Sequence, residues 1–323
     1  MKIAFLNLCH TEPEIVRRVS EKITEHEDFD MYVHVDAKSD IKPFKSRLLG
    51  MERVYFTHER VKVYWGGFNA IRATIALLRQ ALASLREYDY FVILQNLDYP
   101  IRSNEYIDNF FEEHKGTEFI RGCPIARSKD WHYSRKYKIY NKRDDDFYIK
   151  KHNKTRMSLR YACMLLRSAG TIFNNGVIKE SGESYDLYYG AAQWAVTRGL
   201  AEYFVEFYDT RPKFNKIMEH VQFPDEEYFH TIAHNSPFKY KCAKYDESCR
   251  RWLVNWRNLH YYEYPAAGVT VFTEADYEKI MAEDALFIRK VRSGESDGLM
   301  DKIDSATRAA KTGNLEINKN GKE

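Results

Sequence analysis

The sequence predicts an α/β fold with an open, mostly parallel central sheet, because buried strands and amphipathic helices alternate over the first hundred residues. Residues 3–8 and 90–94 are almost continuously apolar, which is typical of parallel strands that helices cover on both faces. Residues 68–86 carry apolar side chains at helical spacing, which predicts a long amphipathic helix between these strands.

The elements of this half follow one another in βαβ order. Strands are predicted at residues 3–8, 30–36, 54–57 and 90–94, and helices at residues 12–25 and 68–86. Thr11 and Pro13 are start signals for the first helix. Ligands of open α/β sheets bind beyond the carboxyl ends of the strands, so we expect His10, Asp36 and the loop 95–99 to surround one crevice.

The second half of the chain is less regular. Strands are predicted at residues 188–198 and 252–256, and helices at residues 199–208 and 273–282. Residues 121–175 are basic and aromatic, and they are interpreted either as an insertion that meets a substrate or a membrane surface, or as a solvated basic helix. The polar tail 312–323 is predicted to be mobile.

Composition and charge exclude several classes of protein. The 323 residues carry a net charge of only +3, so no global field points to nucleic acid. The five cysteines are odd in number and lack metal-ligand spacing, which favours a reduced, cytoplasmic protein. No apolar run approaches the ~20 residues that span a bilayer, and the apolar part of the N-terminus is too short for a signal peptide.

Common catalytic motifs are also missing. The sequence has no glycine-rich phosphate loop and no His-Glu-x-x-His pattern. The Asp-x-Asp spacing from Asp144 to Asp146 lies in a basic loop and is interpreted as a solvated charge run instead of a metal site. If no metal neutralises a leaving diphosphate, basic side chains must do so, and the candidates late in the chain are Arg250, Arg251, Arg257, Arg289 and Lys290.

Three consecutive carboxylates, Asp225, Glu226 and Glu227, stand between Pro224 and two aromatic residues. Proline and acidic residues favour a helix start. A carboxylate on such a rigid element beside apolar rings is suited to general-base chemistry. The residues alone leave open whether these acids act as a base or only cap a helix.

Seven blocks of sequence together resemble the core-2/I-branching β-1,6-N-acetylglucosaminyltransferase family, which includes the peptide O-xylosyltransferases. In order along the chain they are residues 5–10, 32–40, 63–68, 94–101, 190–198, 224–229 and 286–290. The short form of the chain resembles the bacterial members. The resemblance covers most of the chain and implies a single domain at residues 1–311 with the GT-A nucleotide-diphosphosugar fold.

The resemblance also implies roles for individual residues. Glu226 matches the family's general base, and Lys290 matches the lysine that holds the diphosphate. His10, His34 and Asp36 fall in the blocks beside the nucleoside, although Asp36 can be read equally as a turn cap.

Further residues fall near the donor and acceptor sugars. These are Asp98, Tyr99, Gln193, Trp194, Asp225 and Trp252. For Gln193 and Trp194 a supporting role in the core stays open, as do a capping role for Asp225 and a packing role for Trp252.

One departure from the family pattern concerns the diphosphate. Residues 264–270 lack the arginine that the animal members place before their last helix. We therefore expect Arg251, Arg257 or Arg289 to take that role beside Lys290.

The function that the resemblance implies is an inverting, metal-independent transfer from a UDP-sugar, with N-acetylglucosamine favoured, to a hydroxyl of a glycan or lipid-linked glycan. No cofactor and no nucleic-acid partner are expected. Bacterial surface polysaccharide synthesis is the expected setting, with a cytoplasmic protein that makes peripheral contact with the inner membrane. The alternative is a carbohydrate- or lipid-binding protein that keeps the fold without turnover.

Overall fold

The computed structural model describes residues 1–141, 143–144, 158, 162, 165, 175–244, 257–265 and 268–320, with side chains through residue 309. Its strands are β1 (Ile3–Cys9), β2 (Phe29–Val35), β3 (Val54–Phe56), β4 (Tyr90–Gln95), β5 (Asp98–Pro100), β6 (Cys123–Pro124), β7 (Val177–Glu180), β8 (Glu183–Asp186), β9 (Tyr188–Tyr189), β10 (Ala195–Thr197), β11 (His260–Tyr262) and β12 (Phe287–Arg289). Its α-helices are α1 (Pro13–Thr24), α2 (Lys42–Arg47), α3 (Asn69–Leu82), α4 (Asn104–Glu113), α5 (Trp131–Lys138), α6 (Arg198–Thr210), α7 (Pro212–Met218), α8 (Tyr228–His234), α9 (Tyr277–Met281) and α10 (Asp297–Asn320).

The central sheet has five strands in the order β10-β4-β1-β2-β3. Strand β1 pairs in parallel with both β2 and β4, so that Ile3 lies opposite Phe29 and Tyr90. Only β10 runs antiparallel, against β4. This confirms the predicted α/β fold with a mostly parallel sheet.

Helices cover both faces of this sheet, as the continuous apolar strands predicted. Helix α1 packs Ile15 and Val19 into the core cluster on one face. Helix α3 packs Ile71 and Leu78 into the cluster on the other face. The side chains of β1 are therefore buried whichever face they point to, and this leaves the loops at the strand ends to carry polar groups.

Asp144, the first residue of the Asp-x-Asp spacing, contacts the start of α3 in the structure. Asp144 Oδ2 accepts a hydrogen bond of 2.9 Å from the backbone N–H of Asn69, the first residue of α3. Asp144 is therefore a distant cap of a core helix, and its interpretation as part of a solvated charge run is wrong. Asp145 and Asp146 lie outside the described residues.

A second sheet supports the crevice. Its order is β11-β12-β5, and it sets Arg289 on β12 opposite Asp98 on β5. The sequence did not predict β5 or β12, the strand that Phe287, Ile288 and Arg289 form.

The carboxylate segment begins with a tight turn. Phe223 has a left-handed backbone with φ 56°, a 3-10 turn spans Pro224–Glu226, and α8 follows. The predicted helix start is thus displaced to Tyr228, and all three acids precede the α-helix.

Of the other predicted elements, some are present and some lie outside the described residues. The helix predicted at residues 273–282 is present as a 3-10 turn and α9, with a capping box between Thr273 and Asp276. Helix α10, which the sequence did not predict, continues through the predicted tail to Asn320. The strand predicted at residues 252–256 and most of the basic segment 121–175 lie outside the described residues. In the described part of the chain, no helix has the length and apolar character to cross a bilayer.

Candidate functional site

The loops after β1 and β4 meet at the carboxyl edge of the central sheet. Asn96 Oδ1 accepts hydrogen bonds from the backbone N–H groups of His10 (2.6 Å) and Thr11 (2.8 Å). The pKa of His10 is lowered, first by partial loss of hydration and then by the positive charges of Lys38 and Arg289, against the opposing pull of Asp36. His10 and Asp36 therefore border one crevice, as their positions after the strands predicted.

Asp36 is a buried carboxylate with a fixed set of partners. Its Oδ1 accepts from the Lys38 backbone N–H at 2.8 Å, and its Oδ2 accepts from Lys38 Nζ at 2.7 Å. The same ammonium lies 4.4 Å from the centroid of the Tyr64 ring. The turn-capping and charge-pairing roles of Asp36 are thus visible in the structure, and its nucleoside role stays a prediction.

His34 stands further back from the crevice. Its side chain is buried, and its Nε2 accepts a 2.9 Å hydrogen bond from the Val61 backbone N–H. Burial lowers the pKa of His34 to about 4. The neutral ring therefore holds the loop before Tyr64 in place, and its accepting nitrogen is already occupied.

Asp98 and Arg289 form a buried ion pair that the sequence did not predict. Arg289 Nη1 lies 2.7 Å from Asp98 Oδ1, and His260 Nε2 lies 3.2 Å from Asp98 Oδ2. Burial alone would raise the pKa of Asp98, but Arg289 and His260 bring it below its usual value. Asp98 has no exposed side-chain surface in this conformation, and its assignment to a sugar stays a prediction.

The other predicted diphosphate ligands divide into two groups. Arg257 donates to the backbone carbonyl of Tyr262 and stacks 4.5 Å from the centroid of the Tyr261 ring, so its guanidinium is engaged at β11. Arg250, Arg251 and Trp252 lie outside the described residues.

Lys290 differs from these arginines. Its backbone N–H donates to the Thr270 carbonyl at 3.2 Å, and its own carbonyl accepts from Phe272 at 3.0 Å. The side chain is partly exposed, and its ammonium forms no ion pair with any residue that the structure describes. Partial burial and then the neighbouring Arg292 and Arg289 lower the pKa of Lys290. Among the described cations that were predicted to bind the diphosphate, Lys290 is therefore the one whose charged group is best able to contact an anionic ligand.

The three consecutive acids have different surroundings. Glu227 is fully buried, neither carboxylate oxygen has a hydrogen-bond partner among the described residues, and burial raises its pKa to about 8. Asp225 is partly exposed as a residue, but its Oδ1 is buried without a described partner. Burial and then the adjacent Glu226 raise the pKa of Asp225 to about 7.

Glu226 alone combines solvent access with a charged partner. Its side chain is 32% exposed, and its Oε2 accepts a 2.9 Å hydrogen bond from Lys136 Nζ. Burial, then the charge of Glu226 and a hydrogen bond to it, raises the pKa of Tyr189 well above its usual value. Of the three acids, Glu226 is the carboxylate best placed to take a proton from a ligand.

Glu226 and Arg289 border the same crevice, because their charges act on the same neighbouring side chains. The positive charge of Arg289 acts on Asp225, and both Glu226 and Arg289 act on the Tyr262 hydroxyl. The predicted base thus lies within electrostatic reach of the β12 end, which Lys290 follows directly.

Two predicted sugar contacts lie in the core instead. Tyr99 has no exposed surface, and its hydroxyl donates to Asp304 at 2.8 Å. Trp194 is buried, with its ring 5.1 Å from the ring of Phe229. In this conformation the two side chains offer little or no surface to a sugar, and their assignment to the sugars stays a prediction.

Gln193 connects three segments at the rim. Its Nε2 donates to Gln95 Oε1 at 3.1 Å, and its backbone carbonyl accepts from Asn258 Nδ2 at 2.7 Å. The side chain is largely buried, so the open choice between support and substrate contact moves toward support.

Sequence reasoning missed Lys136, Tyr189 and Tyr262. Lys136 was counted within the basic segment 121–175, yet it is buried. No local pattern marks one lysine of a Lys- and Arg-rich helix for burial, because its partner Glu226 is 90 positions away.

Trp65 is an exposed aromatic residue that packs against Phe223, just before the three acids. The side chain of Trp65 is 74% exposed, and its ring lies edge-on to Phe223 at 4.7 Å between centroids. The Arg143 guanidinium lies 5.2 Å from the Trp65 ring. Such a ring beside a carboxylate is suited to stack on a sugar.

No group of three or more His, Cys, Asp or Glu side chains within the described ranges has the arrangement of a metal site. Arg289 and Lys290 are basic residues at the edge of the crevice where β12 ends.

Known proteins resemble this chain over almost its full length. The sequence model of the Core-2/I-branching enzyme family matches residues 3–281. Xylosyltransferase 1 of Rattus norvegicus is 23% identical over 322 residues, which cover 94% of this chain and 35% of the rat protein. Xylosyltransferase 2 of Mus musculus is 22% identical over 329 residues, with 94% and 33% covered. The chain thus spans about a third of the length of the curated relatives it matches.

Proposed function

Because the chain belongs to the Core-2/I-branching enzyme family, we propose that it is a glycosyltransferase that moves a sugar from a UDP-sugar to a hydroxyl group of a glycan acceptor. The observation that carries this proposal is the environment of Glu226. Its side chain is 32% exposed, and of the three acids it is the one hydrogen-bonded to a buried ammonium at the edge of the crevice.

The proposed reaction is a single displacement with inversion. The acceptor oxygen attacks the anomeric carbon as Glu226 takes its proton, and the bond from that carbon to the UDP oxygen breaks. The electron pair of the broken bond leaves with UDP, whose added negative charge Lys290 stabilises. General-base assistance of this kind contributes about 100- to 10,000-fold to a rate.

We propose that the reaction needs no divalent metal. Lys290 offers a cation without a described acidic partner beside Arg289, and Asp144 of the Asp-x-Asp spacing is committed to capping α3. These two features support charge neutralisation by the protein's own side chains.

The donor and the acceptor are proposed by class. N-acetylglucosamine is the donor sugar that the family resemblance favours, and xylose is the alternative that the names of the relatives suggest. A surface polysaccharide or its lipid-linked precursor is the proposed acceptor, with the Trp65 ring as a platform for one of its sugars.

The proposed setting is the cytoplasmic face of a membrane. Cys9, Cys123 and Cys242 are free thiols, which supports a reducing compartment. The basic segment 121–175 would supply peripheral contact with anionic lipid.

The test is a panel of UDP-sugars screened by thermal shift and by release of UDP, each with and without EDTA. We expect one UDP-sugar to raise the melting temperature most and to be hydrolysed slowly without acceptor, equally with and without EDTA. Stabilisation without any release of UDP would favour the binding protein over the enzyme. Activity that EDTA abolishes and Mn²⁺ restores would contradict the metal-free proposal.

A further inference from the structure

Lys136 is a buried cation on α5 whose described acidic partners all belong to the carboxylate segment. Only 5% of the residue is exposed. Its Nζ lies 2.9 Å from Glu226 Oε2 and 3.9 Å from Glu227 Oε1. The ammonium also lies 3.9 Å from the centroid of the Tyr189 ring, which adds a cation–π contact.

The same residue holds the carboxylate loop at a second point. The Lys136 carbonyl accepts a 3.0 Å hydrogen bond from the Gln222 backbone N–H, four residues before Glu226. Between these two contacts lie the left-handed Phe223 and the 3-10 turn. Lys136 therefore fastens both the start and the end of the loop that presents Glu226.

Strand β9 supplies the third restraint. The Gly190 N–H, directly after β9, donates to the Glu226 backbone carbonyl at 2.8 Å. With its main chain held from one side and its carboxylate from the other, Glu226 has little freedom to change its orientation. Such support is what a general base needs if its oxygen is to meet one acceptor hydroxyl.

The acids beside Glu226 indicate why the side chain that holds it is a cation. Asp225 and Glu227 flank Glu226, and each lies in surroundings that favour the protonated carboxyl group. Of the three acids, Glu226 makes the direct contact with the buried ammonium, at 2.9 Å. Removing the ammonium would leave that carboxylate without the cation it touches.

We propose that Lys136 is a positioning residue for the proposed general base, whose carboxylate it orients and whose charge it balances while the acceptor binds. This inference rests on the proposed function. Lys136 keeps its proton throughout: the acceptor proton goes to Glu226 and later to solvent, and no bond to the lysine forms or breaks.

The test is a double-mutant cycle between Lys136 and Glu226. Lys136→Met should lower kcat by about 10- to 100-fold with little change in UDP affinity, since part of the general-base contribution is lost. In the Glu226→Gln background the same change should cost less than about threefold, because the carboxylate it acts on is gone. Equal losses in both backgrounds would overturn the positioning role.

The pH profile provides a readout that a merely structural role would not move. Among the described residues, the groups around Glu226 are Lys136, Asp225, Glu227, Tyr189 and Tyr262, and the charge of Arg289 also reaches Asp225 and Tyr262. Loss of the cation that touches Glu226 should move the acidic limb of kcat/KM to higher pH. Lys136→Arg keeps the charge and should retain the wild-type limb, and a limb unmoved in Lys136→Met would overturn the proposal.

Controls separate this inference from the proposed function. Lys216→Met removes an exposed cation from α7, outside the basic segment 121–175, and should leave kcat unchanged. If Lys136→Met fails to fold, Lys136→Gln enters the same cycle with the same expected outcomes. Wild-type protein that releases no UDP from any UDP-sugar would overturn the proposed function, and the positioning role with it. Active wild type with an additive cycle would overturn the positioning role alone.

Discussion

Arg289 Nη1 lies 2.7 Å from Oδ1 of the fully buried Asp98, so two residues expected to hold different parts of a substrate hold each other. The pair joins β12 to β5 and leaves only 23% of the Arg289 side chain exposed. Lys290, the next residue, forms no ion pair with a described residue, although Glu295 acts on its charge from a longer distance. We therefore propose the main diphosphate role for Lys290, with Arg289 contributing its charge from a fixed position.

Replacing Asp98 tests how much this ion pair contributes to the stability of the protein. Asp98→Ala should destabilise the protein by about 3–5 kcal/mol, because removing one partner leaves the other charge buried without compensation. The free energy of unfolding in urea measures the loss. The double variant Asp98→Ala/Arg289→Met should recover part of it, and a double variant less stable than Asp98→Ala would contradict this explanation.

Replacing Lys290 tests the diphosphate assignment. Lys290→Met should weaken UDP binding by about 10- to 100-fold, the range expected when a hydrogen bond to a charged group is lost. Isothermal calorimetry with UDP and with uridine separates the phosphate contribution, and uridine affinity should stay unchanged. Arg292→Met, which removes an exposed cation two residues later, is the matched control. An equal loss for uridine would show that Lys290 does not act on the diphosphate.

Glu227 gives a pH-dependent stability prediction. Burial raises its pKa to about 8, so between about pH 4.5 and pH 8 the folded state binds more protons than the unfolded state. Stability therefore falls as pH rises through this window, and Glu227→Gln removes that loss. The gain in melting temperature of Glu227→Gln over wild type should be larger at pH 9 than at pH 5 by at least about 2 °C, which corresponds to about 1 kcal/mol.

The exposed Glu206 on α6 provides the control for this pH series. Glu206→Gln should shift the melting temperature little at either pH. A gain for Glu227→Gln that is equal at both pH values, or greater at pH 5, would mean that Glu227 is not held protonated by burial.

The sequence predicted those parts of the fold that depend on local pattern. Continuous apolar runs located β1 and β4, because strands covered on both faces have no polar alternation. The loop 95–99 was predicted to lie at the crevice because it follows the carboxyl end of β4. Helix α10 was not predicted, and its C-terminal end falls in the polar tail.

The site depends more on contacts between distant residues. Asp144 caps a helix 75 positions earlier, and Arg289 neutralises an acid 191 positions earlier. A single sequence shows that these residues are charged but not which of them meet. Tyr99 and Trp194 illustrate the same difficulty for aromatic rings, because core packing and sugar stacking use the same side chains.

The central claim, that Glu226 is the general base of a sugar transfer, is tested most directly by the turnover of Glu226→Gln. Glu219→Gln is the matched control, since Glu219 is also 32% exposed and also pairs with a cation, Arg72. We predict that Glu226→Gln keeps UDP affinity and loses about 100- to 10,000-fold in kcat for transfer from the preferred UDP-sugar, whereas Glu219→Gln remains active. Near-normal turnover of folded, UDP-binding Glu226→Gln would contradict the claim.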